Sequence, residues 1–155
     1  MSADARFLAL PDHVPTLGTP PPARRAAVRT GNLLYTSGHG PMARPDGTRL
    51  AGKIGRELTV EEGVVAARET GIILLAVMRA ALGSLDRVTR VVKVLGMVNV
   101  APGVTAMPKV MDGFSELCLE VFGPEVGPHA RSAVGVAELP LDYPVEIEVI
   151  VEVRD

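Results

Sequence analysis

From Val145 to Val153 the chain alternates without a break. Val145, Ile147, Val149, Val151 and Val153 take every second position, and Glu146, Glu148, Ile150 and Glu152 fill the others. Successive side chains of an extended strand point to opposite faces, so the pattern predicts a strand over 145–154 with one face in a core. A sheet containing such a strand must be covered on its valine side. The preceding segment, Ala130-Arg131-Ser132-Ala133-Val134-Gly135-Val136-Ala137-Glu138-Leu139-Pro140, reads as a lone arginine ahead of a short apolar strand (132–137) and a Leu-Pro corner. One guanidinium and one strand carboxylate thus stand at the two ends of a tight turn. Facing each other, they would suit a small anionic ligand.

The remaining elements follow from local signals. Two short strands, 26–29 and 33–36, flank Thr30-Gly31-Asn32, whose Gly-Asn pair suits a hairpin turn. Ser37-Gly38-His39-Gly40-Pro41 breaks the second strand into a glycine-rich loop, and 50–54 reads as a possible third strand. Thr59-Val60-Glu61-Glu62 matches a capping box, and apolar positions from Val64 to Leu82 recur at helical spacing until Gly83. Residues 87–100 form a long strand with Val88, Arg90, Val92, Val94, Gly96 and Val98 on one face and Thr89, Val91, Lys93, Leu95, Met97 and Asn99 on the other, so both faces are apolar, more than one layer of helices needs. The surplus points to burial of the second face against other subunits. A second helix runs from about Pro108 to Phe122 and stops at Gly123-Pro124. The order implies an α+β domain with two helices on one face of a single mixed sheet of about six strands. Residues 1–23, which end in Thr19-Pro20-Pro21-Pro22, read as an N-terminal arm on the surface, ahead of a core at 24–155.

Composition removes several function classes. The net charge is −2 and aromatics make up 3% of the chain, so neither a basic stripe nor a stacking platform for nucleic acid is expected. Cys118 is the single cysteine and sits in an apolar helical pattern, as a buried small hydrophobe does. Three histidines with no His-x-x-x-His or Cys-x-x-Cys spacing give no metal signature. Asp4 and Arg6 interrupt any apolar leader, and Gly71–Leu82 is too short to span a bilayer. A soluble, cytoplasmic protein without membrane or nucleic-acid partners is the expectation.

With these elements placed, the chain resembles the RidA/YjgF family, often labelled endoribonuclease L-PSP-like. The resemblance rests on Thr30 to Gly38, Thr59-Val60-Glu61-Glu62-Gly63, Gly83-Ser84-Leu85-Asp86, Phe122-Gly123 and the Arg131 to Glu148 segment. It implies a chorismate-mutase-like fold and a homotrimer with ligand sites between subunits. The implied activity is hydrolysis of reactive enamines and imines, such as 2-aminoacrylate, to a 2-keto acid and ammonia, with neither metal nor organic cofactor. The implied partner is a small carboxylate-bearing imine, enamine or keto acid. His129-Ala130-Arg131-Ser132-Ala133-Val134 and the N-terminal arm place the chain in a less characterised branch.

The resemblance assigns Arg131 to the substrate carboxylate and Glu146 to the attacking water. A planar guanidinium grips a carboxylate through two parallel hydrogen bonds, and a carboxylate can act as general base. The plainer alternatives are a structural ion pair for Arg131 and a solvated strand-face acid for Glu146. Ser37 and Gly38 match the loop at the pocket floor, Ser37 as a hydrogen-bond donor, or else form a simple strand-ending turn. Three positions depart from the family pattern, with Arg24 for a tyrosine, Asp112 for an asparagine and Ala133 for a cysteine. Asp112 would either pair with an arginine or repel a carboxylate substrate. His39 and His129 flank the site in sequence, as exposed loop histidines or as proton shuttles. A non-catalytic carboxylate binder remains the second reading, and a ribonuclease the weakest.

Overall fold

The structure, a computed structural model, describes residues 1–12 and 16–155. Its elements are α1 (Ala3–Leu8), β1 (Ala27–Thr30), β2 (Leu33–Thr36), α2 (Val60–Leu82), β3 (Val88–Asn99), α3 (Met107–Val126), β4 (Ala130–Val136) and β5 (Val145–Val153). The strands form one mixed five-stranded sheet in the order β1-β2-β5-β3-β4. Only the β3–β4 pair is parallel, as expected for strands joined through a helix. The five alternating apolar residues of β5 are all buried, in a core shared with α2 and α3.

The helices start and stop for local reasons. The Thr59 side chain accepts from the Glu62 amide, and the Glu62 carboxylate accepts from the Thr59 amide, closing the capping box. Gly83 ends α2 in the left-handed conformation at φ +82°. α3 outruns its expected end. Its backbone breaks at Gly123 (φ +78°) and resumes as a final turn to Val126.

Three expectations are corrected. The sheet has five strands rather than six, because residues 53–58 fold back on themselves. Within 50–54 only Ile54 forms β-bridges, with Leu58 and Val100, and the Gly55 amide bonds to the Leu58 carbonyl. The faces of β3 do not follow strict alternation either. Register shifts against β5 lie between Val88 and Arg90 and between Val91 and Lys93, so Val88, Val91, Val94 and Val98 all reach the core while Arg90 is exposed. Finally, the N-terminal segment is not merely laid on the surface. α1 buries Phe7 to 1% exposure within the core. The Asp4 carboxylate accepts from Arg79 Nε (2.9 Å) and the Leu85 amide (3.0 Å), and Arg6 Nε donates to the Val121 carbonyl (2.6 Å).

One face of the sheet carries no helix. Leu95, Met97, Val134, Tyr35 and Ile150 lie on it, with Val134 and Tyr35 exposed. No helix among the described residues is long and apolar enough to cross a membrane.

Candidate functional site

The turn between β4 and β5 is held from below by a buried polar network. Asn99, fully buried at the end of β3, donates through Nδ2 to the Tyr143 carbonyl (3.2 Å) and Asp142 Oδ1 (3.3 Å). Its Oδ1 accepts from the buried Lys53 ammonium at 2.7 Å, which also donates to the Ala137 carbonyl. This anchoring fixes Leu141 and Asp142 at positive φ and sets where Tyr143 and Glu146 emerge.

Glu146 points from the open face of the sheet into a cleft of about 880 Å³. Arg24, Ser37, Gly38, His39 and Tyr143 line the same cleft, and Leu17, Val77 and Ala80 give it an apolar wall. The loop after β2 is strapped to β5, because His39 and Ile147 exchange backbone hydrogen bonds of 3.0 and 2.9 Å. Gly38 lies so close to Glu146 that a Cβ there would sit 2.1 Å from Oε1. The missing side chain thus makes room for the carboxylate, not only for a ligand. Ser37 does not offer its proton as expected, since its hydroxyl donates to the Arg25 carbonyl at 2.6 Å and leaves lone pairs for the cleft. Beyond its place in the β5 ladder opposite Met97, Glu146 makes no side-chain hydrogen bond or ion pair among the described residues.

Arg131 is elsewhere. On β4 it pairs with Val94 of β3, points to the helix side and lies against α3. Nη1 donates to Asp112 Oδ1 (3.1 Å) and Ser115 Oγ (3.0 Å), and Nη2 donates to the Pro108 carbonyl (3.1 Å). A guanidinium has five N–H groups, so Nε–H and one Nη2–H remain uncommitted among the described residues. Ala133, opposite Gly96, shares this face. Asp112 therefore takes the first of its two expected courses and pairs with an arginine. The ion pair that Arg131 makes is with a helix acid rather than a strand glutamate.

The expected face-to-face pairing of Arg131 with Glu146 does not occur within one chain. The residues divide into two sets, Arg24, Ser37, Gly38 and Glu146 at the cleft, and Arg131, Asp112 and Ala133 at the β4 edge. Both flanking histidines are half-buried and bonded rather than freely exposed. His39 Nδ1 is 2.8 Å from the Ser37 carbonyl, and His129 Nδ1 is 2.7 Å from the Gly127 carbonyl. Burial lowers the His129 pKa, the Gly127 carbonyl partly offsets this, and the Arg131 charge adds to the lowering. Burial also pushes the Cys118 thiol far above its ordinary value, as an inert core cysteine requires. Sequence reasoning missed Tyr143 and Ser115. The loop tyrosine carries no motif, and only its spacing from Asp112 sets Ser115 on the same helix face. Among the described residues no three His, Cys, Asp or Glu side chains gather as a metal site.

Comparison with known proteins places this geometry in context. A family described as "YjgF/chorismate mutase-like, putative endoribonuclease" matches residues 4–153. Protein TCP17 of Trypanosoma cruzi is 46% identical over 128 residues, 83% of this chain and 79% of that protein. The Agrobacterium tumefaciens protein Atu1372, of unknown function, superposes with a TM-score of 0.85 at 35% identity, covering 97% of this chain and 91% of that one. A Shewanella oneidensis MR-1 protein described as a "putative endoribonuclease" superposes at 0.89 with 28% identity, covering 99% and 100%.

Proposed function

Because the chain belongs to the YjgF/chorismate mutase-like family, we propose that it assembles as a trimer and hydrolyses carboxylate-bearing imines and enamines, the activity the RidA resemblance implies. The observation that carries the proposal is the state of Arg131, braced by three acceptors with two of its five N–H groups left uncommitted. The helix-free sheet face, with its apolar Leu95, Met97 and Val134, supports subunit contact. In the assembly the β4 edge of one copy meets the cleft of the next, and the two residue sets complete one site.

In that site Arg131 holds the substrate carboxylate, and Glu146 of the neighbouring copy accepts a proton from water as its oxygen attacks the imine carbon. An enamine first gains a proton at carbon and gives one up from nitrogen, a net shift that yields the imine. Glu146 passes the water proton to the imine nitrogen to complete the carbinolamine, then takes the hydroxyl proton and delivers it to the nitrogen as the C–N bond breaks and the C=O forms. The products are a 2-keto acid and ammonia. A carboxylate near a bound substrate suits this exchange, since one group serves as base and then as acid.

One observation favours a second reading, non-catalytic carboxylate binding. Asp112 already supplies Arg131 with a counter-charge at 3.1 Å, which weakens its pull on an incoming anion. The two readings separate in a coupled assay. A pyridoxal-phosphate dehydratase generates 2-aminoacrylate from serine, and keto-acid release is followed with wild type, Arg131→Ala and Glu146→Gln. Acceleration by wild type alone supports the hydrolase. Carboxylate binding that needs Arg131 without acceleration supports the binder. RNA cleavage that survives purification and disappears in Glu146→Gln would replace both.

A further inference from the structure

Ser115 lies one helical turn after Asp112 on α3, so the two side chains reach Arg131 together. The hydrogen bonds behind Ser115 leave little freedom in their direction. The Gly127 carbonyl can only accept, so His129 Nδ1, 2.7 Å away, carries a proton. In the neutral ring Nε2 is then a bare acceptor. Ser115 Oγ lies 3.1 Å from Nε2, so its hydroxyl donates to the ring. The serine lone pairs are thereby turned toward Arg131 Nη1 at 3.0 Å. The imidazole is itself fixed edge-on against Phe114, with ring centroids 6.0 Å apart and planes at 71°.

We infer that Ser115 and His129 are positioning residues for Arg131, a relay that orients the guanidinium so that its uncommitted N–H groups present to a carboxylate. The inference rests on the proposed role of Arg131 as carboxylate anchor. Neither residue touches the ligand. Asp112 supplies charge, and the Pro108 carbonyl fixes Nη2, but one anionic contact on Nη1 leaves the plane of the fork free to tilt. Ser115 occupies the second Nη1 donor and removes that freedom. His129 acts one step back, because an oriented hydroxyl proton keeps the serine oxygen facing the arginine. Fixing a fork to within a few degrees matters more for a ligand of few atoms than for a large one, since no other contact compensates for a lost hydrogen bond.

The test is a double-mutant cycle read by pyruvate affinity and by turnover in the coupled assay. Ser115→Ala is expected to raise the pyruvate Kd and the KM together by about tenfold, the worth of one well-placed hydrogen bond. The kcat should stay within about twofold, since the relay acts on binding and not on the attacking water. Ser115→Thr, which keeps the hydroxyl, should restore binding. His129→Phe should weaken binding, and the double variant Ser115→Ala/His129→Phe should be no worse than Ser115→Ala alone, since both act through one oxygen. Additive effects, or single variants that bind pyruvate like wild type while Arg131→Ala does not, would overturn the relay and leave the anchor standing. Unchanged pyruvate binding by Arg131→Ala, or no binding by wild type, would remove the anchor and the relay with it.

Discussion

Arg131 and Glu146 stand on opposite sides of one sheet. Arg131 pairs with Val94 and turns toward α3, while Glu146 pairs with Met97 and turns into the open cleft. A strand passes its side chains to alternate faces, so no rotamer brings these two together around one small ligand. In the proposed site they would therefore come from two copies of the chain.

Gly38 is the tightest constraint on the carboxylate. Gly38→Ala puts a methyl group 2.1 Å from the present position of Glu146 Oε1, so the glutamate must swing away. Imine hydrolysis should fall by about 10²-fold, as expected for a displaced catalytic group. The melting temperature should hardly change, because the cleft is open. Steady-state kinetics beside a thermal melt checks this.

Arg131→Lys keeps the charge and loses the geometry. An ammonium cannot meet Asp112, Ser115 and the Pro108 carbonyl while presenting two parallel donors. Loss of one charged hydrogen bond predicts about 10- to 100-fold weaker carboxylate binding. Titration with pyruvate would show it, and near-wild-type affinity would contradict it.

Asn99 supports the site without facing it. Asn99→Leu takes from the Lys53 ammonium its buried side-chain partner, leaving it Ala137 and Glu138, and takes from the Tyr143 carbonyl the Asn99 amide. About 1–3 kcal/mol of stability should go for each group left unsatisfied. Urea unfolding should show a lower midpoint with an unchanged slope.

The N-terminal segment is tied to the body by a charge. Two hydrogen bonds from Arg68 (3.2 and 2.8 Å) hold the Asp12 carboxyl below the usual carboxylate range, burial opposes them, and the arginine charge adds to them. A depressed folded pKa contributes stability above the unfolded value, near pH 4, that is lost as pH falls through the lower folded value. Asp12→Asn should therefore cost up to about 1 kcal/mol at pH 6. The difference from wild type should shrink toward pH 3. Melts at the two pH values check the sign.

Much of this was legible in the chain, for identifiable reasons. The β5 alternation, the Thr59 capping box and the Gly83 stop each write a local geometry directly into residue order. The Arg131 and Glu146 candidates came from resemblance, and the doubly apolar β3 corresponds to a helix-free sheet face that carries Leu95 and Met97. What stayed hidden depends on non-local facts. The bulges in β3 come from its register against β5, so strict alternation put Arg90 with the core residues. The burial of Phe7 depends on α1 packing against α3 and the turn before β3, which no N-terminal residue announces. The separation of Arg131 from Glu146 is a matter of strand phase across the sheet, which residue spacing does not encode. The Ser115–His129 bond joins a helix to the start of a strand and has no motif.

The central claim is that one site is built by two copies, and subunit mixing tests it most directly. Arg131→Ala and Glu146→Gln variants, each without activity alone, would be unfolded together in equal amounts and refolded, with mixed trimers verified by native mass spectrometry. In a cyclic trimer with random mixing, about a quarter of the interfaces pair an intact Arg131 with an intact Glu146 from the neighbour, so activity should return to about a quarter of wild type. Mixed trimers that remain as inactive as their parents would contradict the account.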